Sequence, residues 1–172
     1  MKRFAFVLLL LVVVGCATTN PNMGKSAPDF ALVDLSDRVV KLEDFRGKNL
    51  VLVFYVSYNW QPCLQQLGEL QSRISEIREL DAEIIAIATR GNRNNEEKTK
   101  KAFNITFTII PGPERKTAEA FGVWNNTRQL AIATVIVDKS GVIRFIHEGV
   151  SDFDRPNASD VIKKLKEINQ AK

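Results

Sequence analysis

The chain has little of the residues that build metal sites and disulfide scaffolds. Two cysteines, Cys16 and Cys63, and one histidine, His147, occur in 172 residues. A single histidine cannot form a histidine cluster for zinc, and with one free cysteine it could supply only part of a copper site. Nor is there a phosphate-binding glycine loop, a hydrolase triad or a pair of carboxylates at catalytic spacing. Lysine and arginine do not cluster with aromatic residues, which argues against a nucleic-acid surface. Apolar residues make up 45% and charged residues 26% of the chain, as in a globular protein. One domain of about 150 residues buries roughly 68–70% of its unfolded surface and needs no disulfide to hold it.

What is present begins with Lys2-Arg3 and an apolar run, Phe4 to Val14, closed by Gly15-Cys16. The run is too short for a spanning helix and has the layout of a secretory signal. Its end, Val13-Val14-Gly15-Cys16, resembles the bacterial lipobox. That likeness implies cleavage before Cys16, acylation of Cys16 and export, with an ordinary signal peptide as the alternative. Ala17 rather than Asp after the cysteine points to the outer membrane in a Gram-negative host. More than one acyl chain is needed for stable anchoring. Loss of Lys2 and Arg3 would leave 22 basic against 20 acidic residues, a balance that selects no particular partner. The expected division is a signal over 1–15, a polar lipid-anchored tether over 16–26 and one domain over 27–172.

Within the domain, Leu50 to Val56 reads as a buried central strand. A short turn follows, and Pro62-Cys63 opens a helical pattern with Leu64, Leu67, Leu70, Ile74 and Ile77 on one face through residue 80. Cys63 therefore stands at a helix N-terminus just past the carboxyl end of a core strand, where α/β sheets build sites. The helix dipole there favours an anion, so the thiol is expected to be drawn toward thiolate. Further strands are expected over Glu83–Ala88, Ile105–Ile110, Thr134–Asp138 and Val142–His147, the last two joined as a hairpin at Lys139-Ser140-Gly141. Asn92–Phe103 reads as an exposed helix, Glu114–Phe121 as a helix stopped by Gly122, and Ala158–Ile168 as the closing helix. The order β-α-β-α-β-β-α around a central sheet is that of an α/β sandwich of the thioredoxin type.

From Ala27 to about Ile168 the chain resembles the redoxin branch of the thioredoxin superfamily, most closely the alkyl hydroperoxide reductase and thiol-specific antioxidant (peroxiredoxin) family. The resemblance is carried by Ala27-Pro-Asp-Phe30, Leu42-Glu-Asp-Phe-Arg-Gly-Lys48, Val51-Leu-Val-Phe-Tyr55 and Cys63 with Gln66-Leu67. Ala118-Glu-Ala-Phe-Gly-Val123 and Val135 to Phe145 extend it. It implies a thioredoxin-like α/β fold, a central mixed β-sheet flanked by helices on both faces. It also implies Cys63 as a one-cysteine peroxidatic nucleophile, a hydroperoxide substrate, an external thiol reductant and no cofactor. The chain departs from the family where its Pro-x-x-x-Thr-x-x-Cys motif has Val56 for Pro and Trp60 for Thr. Against the Cys-x-x-Cys of thioredoxin-like reductases, Trp60 replaces the first cysteine. The family's supporting arginine falls near Ile132, and the nearest arginine is Arg128, a candidate to support the thiolate. Trp60 is a candidate to cap the pocket, or else it packs the rim of the core. Two other classes remain open: a thioredoxin-fold lipoprotein in which Cys63 is inert and the fold serves binding, and thiol-disulfide exchange with a partner.

Overall fold

The computed structural model describes residues 20–57 and 60–171. Cys16, the signal 1–15 and the start of the tether lie outside the described residues. Among the described residues no helix is long and apolar enough to cross a membrane.

Two short strands, β1 (Ala31–Val33) and β2 (Val39–Lys41), form an antiparallel pair, and a 3-10 turn over Leu42–Phe45 leads into the core. The main sheet has five strands: β3 (Asn49–Tyr55), β4 (Ala82–Ala88), β5 (Thr108–Ile110), β6 (Ala133–Val137) and β7 (Ile143–Glu148). Their order is β5-β4-β3-β6-β7, with β4 and β5 parallel to β3 and β6 antiparallel to it. Every residue of β3 is buried, as a central strand covered on both faces requires. Its side chains alternate. Val51, Val53 and Tyr55 face a layer built from α1 (Gln61–Ser72), α2 (Ile74–Glu79) and α5 (Ala158–Gln170). Leu50, Leu52 and Phe54 face α4 (Arg115–Ala120) and the β1–β2 pair, with Phe54 stacked at a tilt on Phe121, 5.8 Å between ring centres. The expected thioredoxin-like sandwich with helices on both faces is the fold found.

Three expectations change. The single helix over 63–80 is two, because Arg73 leaves helical geometry at φ −117° and ψ 19°. The helix over Asn92–Phe103 is α3 (Arg93–Ala102), capped by the Asn92 side chain, but it is not merely exposed: Glu96 and Thr99 are fully buried. Part of the expected tether is docked on the domain. Gly24 donates to Ile143 (2.9 Å), Ile143 to Lys25 (2.9 Å), and Asn20 reaches the Gly122 carbonyl (3.0 Å). β7 is an edge strand, and this segment satisfies backbone groups it would otherwise present to solvent.

Candidate active site

Strand β3 ends at Tyr55, and α1 begins six residues later with Pro62 in its first turn, where a missing N–H is harmless. No side chain caps α1. The Trp60 carbonyl instead accepts from Cys63 (2.9 Å) and Leu64 (3.2 Å). This geometry turns Cys63 inward, where it is buried beside Tyr55 in the α1 layer. Trp60, the residue before α1, is 36% exposed.

Burial is the largest influence on the Cys63 thiol and pushes its pKa up. The Val56 backbone N–H and the charge of Arg155 oppose that rise without cancelling it. The thiol is thus held above its ordinary value, which corrects the expectation that the helix start alone would draw it to thiolate. Val56 occupies the place of the family's proline, and unlike proline it has an N–H to point at the sulfur.

The cation beside Cys63 is Arg155, not Arg128. Arg155 comes from the loop between β7 and α5. Its two terminal guanidinium nitrogens are buried without a hydrogen-bond partner among the described residues, and the group beside them is the Cys63 thiol. Its neighbours in the chain are tied down on both sides. Asp154 bonds His147 Nε2 at 2.8 Å, and the Pro156 carbonyl accepts from the buried Gln66 side chain at 2.9 Å. At the base of this loop a Cβ on Gly149 would stand 2.5 Å from the Asp154 carbonyl oxygen, so only glycine lets it close. Arg128 enters at one remove. It pairs with Asp152, whose charge works against thiolate formation at Cys63. Ile132, at the family's arginine position, is buried in the apolar layer.

Sequence reasoning missed Arg155, but strand direction held the signal. β7 runs parallel to β3, so the loop after Glu148 emerges at the same sheet edge as the Cys63 turn. His147 bridges to Asp154 within this loop. Among the described residues no three of His, Cys, Asp and Glu gather as metal ligands. A groove lined by Pro62, Gln66, Phe153 and Arg155 runs over the site. A roomier cavity between Ala27, Arg46 and Lys139 opens at the opposite end of β3, remote from the thiol.

The model of the AhpC/TSA family matches residues 23–146. The chain belongs to the AhpC/TSA family. This AhpC/TSA chain is 28% identical to peroxiredoxin Bcp of Bacillus subtilis over 156 residues, which is 87% of the chain and 98% of the relative. It is equally 28% identical over 155 residues to the thiol-disulfide oxidoreductase ResA of Geobacillus thermodenitrificans, 86% of each. Among solved structures, Enterococcus faecalis AhpC superposes with a TM-score of 0.75 at 22% identity, covering 85% of this chain and 91% of that one. That likeness shows the fold.

Proposed function

We propose that the protein is a one-cysteine, thiol-dependent peroxidase with Cys63 as its nucleophile. The observation that carries this reading is the buried thiol flanked by an arginine whose terminal nitrogens have, among the described residues, only that thiol beside them. The Cys63 thiolate attacks the terminal oxygen of a hydroperoxide, forming the S–O bond as the O–O bond breaks. Sulfur loses two electrons and becomes the sulfenic acid; the leaving oxygen departs with the electron pair and takes up a proton. The guanidinium is placed to donate hydrogen bonds to the peroxide oxygens and to offset the charge developing on them. An external thiol then displaces water to give a mixed disulfide, and a second thiol restores Cys63. With Cys16 acylated, the working domain would sit on the exported side of a lipid-anchored protein.

Mass spectrometry after dilute peroxide tests the reading. One oxygen should add to Cys63, and Cys63→Ser should abolish peroxide consumption. A wild-type protein that gains no oxygen and consumes no peroxide overturns it. The likeness to ResA supports thiol-disulfide exchange as a second reading, and a stable mixed disulfide with a model disulfide in the absence of peroxide turnover would favour it.

A further inference from the structure

Between Asn20 and Ala27 the chain runs alongside β7 in the opposite direction. Ala27 donates to the Gly141 carbonyl (2.8 Å), Gly24 to that of Ile143 (2.9 Å), and the Asn20 side chain to Glu148 Oε1 (2.6 Å). Because β7 runs parallel to β3, Glu148 and Asn20 lie at the end of the sheet that carries Cys63. Cys16 stands four residues before Asn20, a length of chain that spans at most about 14 Å. A domain of about 150 residues is roughly 40 Å across. A lipid on Cys16 therefore reaches a bilayer lying against the Cys63 end of the sheet, and not one lying against the Lys139 turn at the other end.

That end also carries the two most exposed large apolar side chains among the described residues, Val150 at 86% and Phe153 at 81%. Both stand on the β7–α5 loop, Val150 two residues after Glu148. The loop is braced from within. The Asp154 carboxylate accepts from the Val150 N–H (3.0 Å) and bonds His147, while Asp152 pairs with Arg128. These bonds hold the backbone and leave Val150 and Phe153 outward. One exposed apolar residue needs no explanation; two on a braced loop, beside the exit of a lipid anchor, make a surface suited to lipid.

We propose that Val150 and Phe153 form a membrane-contact surface, seated in the headgroup region of the bilayer that holds the anchor. The proposal rests on acylation of Cys16 and not on the peroxidase reading. Two side chains bind a bilayer too weakly to hold the free domain. Once the anchor makes their contact intramolecular, at an effective concentration of about millimolar, they suffice to set its orientation. The contact is apolar: the loop's acids are paired with Arg128 and His147, and the terminal nitrogens of Arg155 are buried. High salt should therefore leave it in place. Phe153 also lines the groove over Cys63 with Pro62 and Arg155, so that groove opens at the boundary between lipid and water.

The test is tryptophan quenching in the full acylated chain, purified from membranes and returned to vesicles of phosphatidylcholine brominated near the headgroup. Val150→Trp, Phe153→Trp and Lys139→Trp are compared after subtracting the emission of the unsubstituted protein. All three positions are exposed, circular dichroism checks the fold, and either loop variant alone decides the matter. Bromine should remove about half or more of the added emission at 150 and 153, as for a side chain some 5–10 Å into the headgroup boundary, and little of that at 139. Equal quenching at all three positions, or none at 150 and 153, overturns the contact, and so does quenching that high salt abolishes. In the Cys16→Ser chain without lipid, acrylamide should quench the added loop tryptophans freely. Shelter that grows with protein concentration would instead place a second copy on this surface and overturn the proposal. Mass spectrometry of the purified chain separates the two readings. A chain without acyl groups on Cys16 defeats the anchor and this surface with it; an acylated chain with unquenched loop tryptophans defeats the surface alone.

Discussion

Arg155 is the residue through which function and stability can be separated. A buried guanidinium whose terminal nitrogens have no partner among the described residues beyond the Cys63 thiol costs about 1–3 kcal/mol of folding free energy. Arg155→Met should therefore leave stability unchanged or raise it by about 1 kcal/mol in urea unfolding. The same change should slow Cys63 oxidation by about 10- to 100-fold, since it removes a donor and a charge beside the sulfur. Arg155→Lys should recover part of that rate, because an ammonium supplies charge without the planar fork. If both variants lose stability and keep their oxidation rate, Arg155 is structural. Cys63 was legible in the sequence because a strand, a turn and a proline mark its place. Its cation was not, because it comes from a loop some 90 positions later that only the sheet brings near.

Among the elements, the β6–β7 hairpin carries its own keystone. Burial acts to raise the Asp138 carboxyl, but bonds from the Ser140 hydroxyl, the Val142 and Ser140 amides and Arg144 outweigh it and draw the group down to about 2. A carboxyl depressed below its ordinary 3.8 contributes stability that is fully present above that value and is lost as pH falls toward 2. Asp138→Ala should cost roughly 2 kcal/mol at neutral pH and progressively less in acid, measured by thermal unfolding across that range. The hairpin turn was readable from Lys139-Ser140-Gly141. Helix α3 was harder: its inward positions, Glu96 and Thr99, are polar, so hydrophobic periodicity marks no buried face. Gln66 joins α1 to the arginine loop through the Pro156 carbonyl and to β6 through Thr134 Oγ1. Gln66→Leu should cost about 1–3 kcal/mol, leaving a buried carbonyl unpaired, and should also slow Cys63 oxidation by loosening Arg155.

For the molecule as a whole, Glu96 sets a dependence opposite in sign to that of Asp138. Its folded value of about 7 lies above its ordinary 4.5, so the stability it allows is complete below 4.5 and is lost as pH rises through 7. That difference corresponds to roughly 3 kcal/mol as an upper figure. Glu96→Gln should therefore raise the melting temperature in mild alkali and change it little in acid. The sandwich was legible across the chain because its strands are long apolar runs and its helices mostly show one apolar stripe. Segment 20–26 was not, since its bonds to the domain are made by backbone and asparagine groups that follow no period. At the other end of the tether, Cys16→Ser should release the protein from membranes on cell fractionation; retention in the membrane pellet would count against the lipid anchor.

Trp60, partly exposed directly before the helix that carries Cys63, gives the protein an optical signal of its own. The chain has only two tryptophans, and the other, Trp124, is half-buried under the Arg115 guanidinium 5.1 Å from its ring. Water-facing indole emits to the red of a sheltered one and is open to collisional quenchers. An acrylamide- or iodide-sensitive component of the fluorescence would thus come from Trp60, three residues from the sulfur. Stopped-flow emission could then follow the redox state of Cys63 in real time, with no label attached.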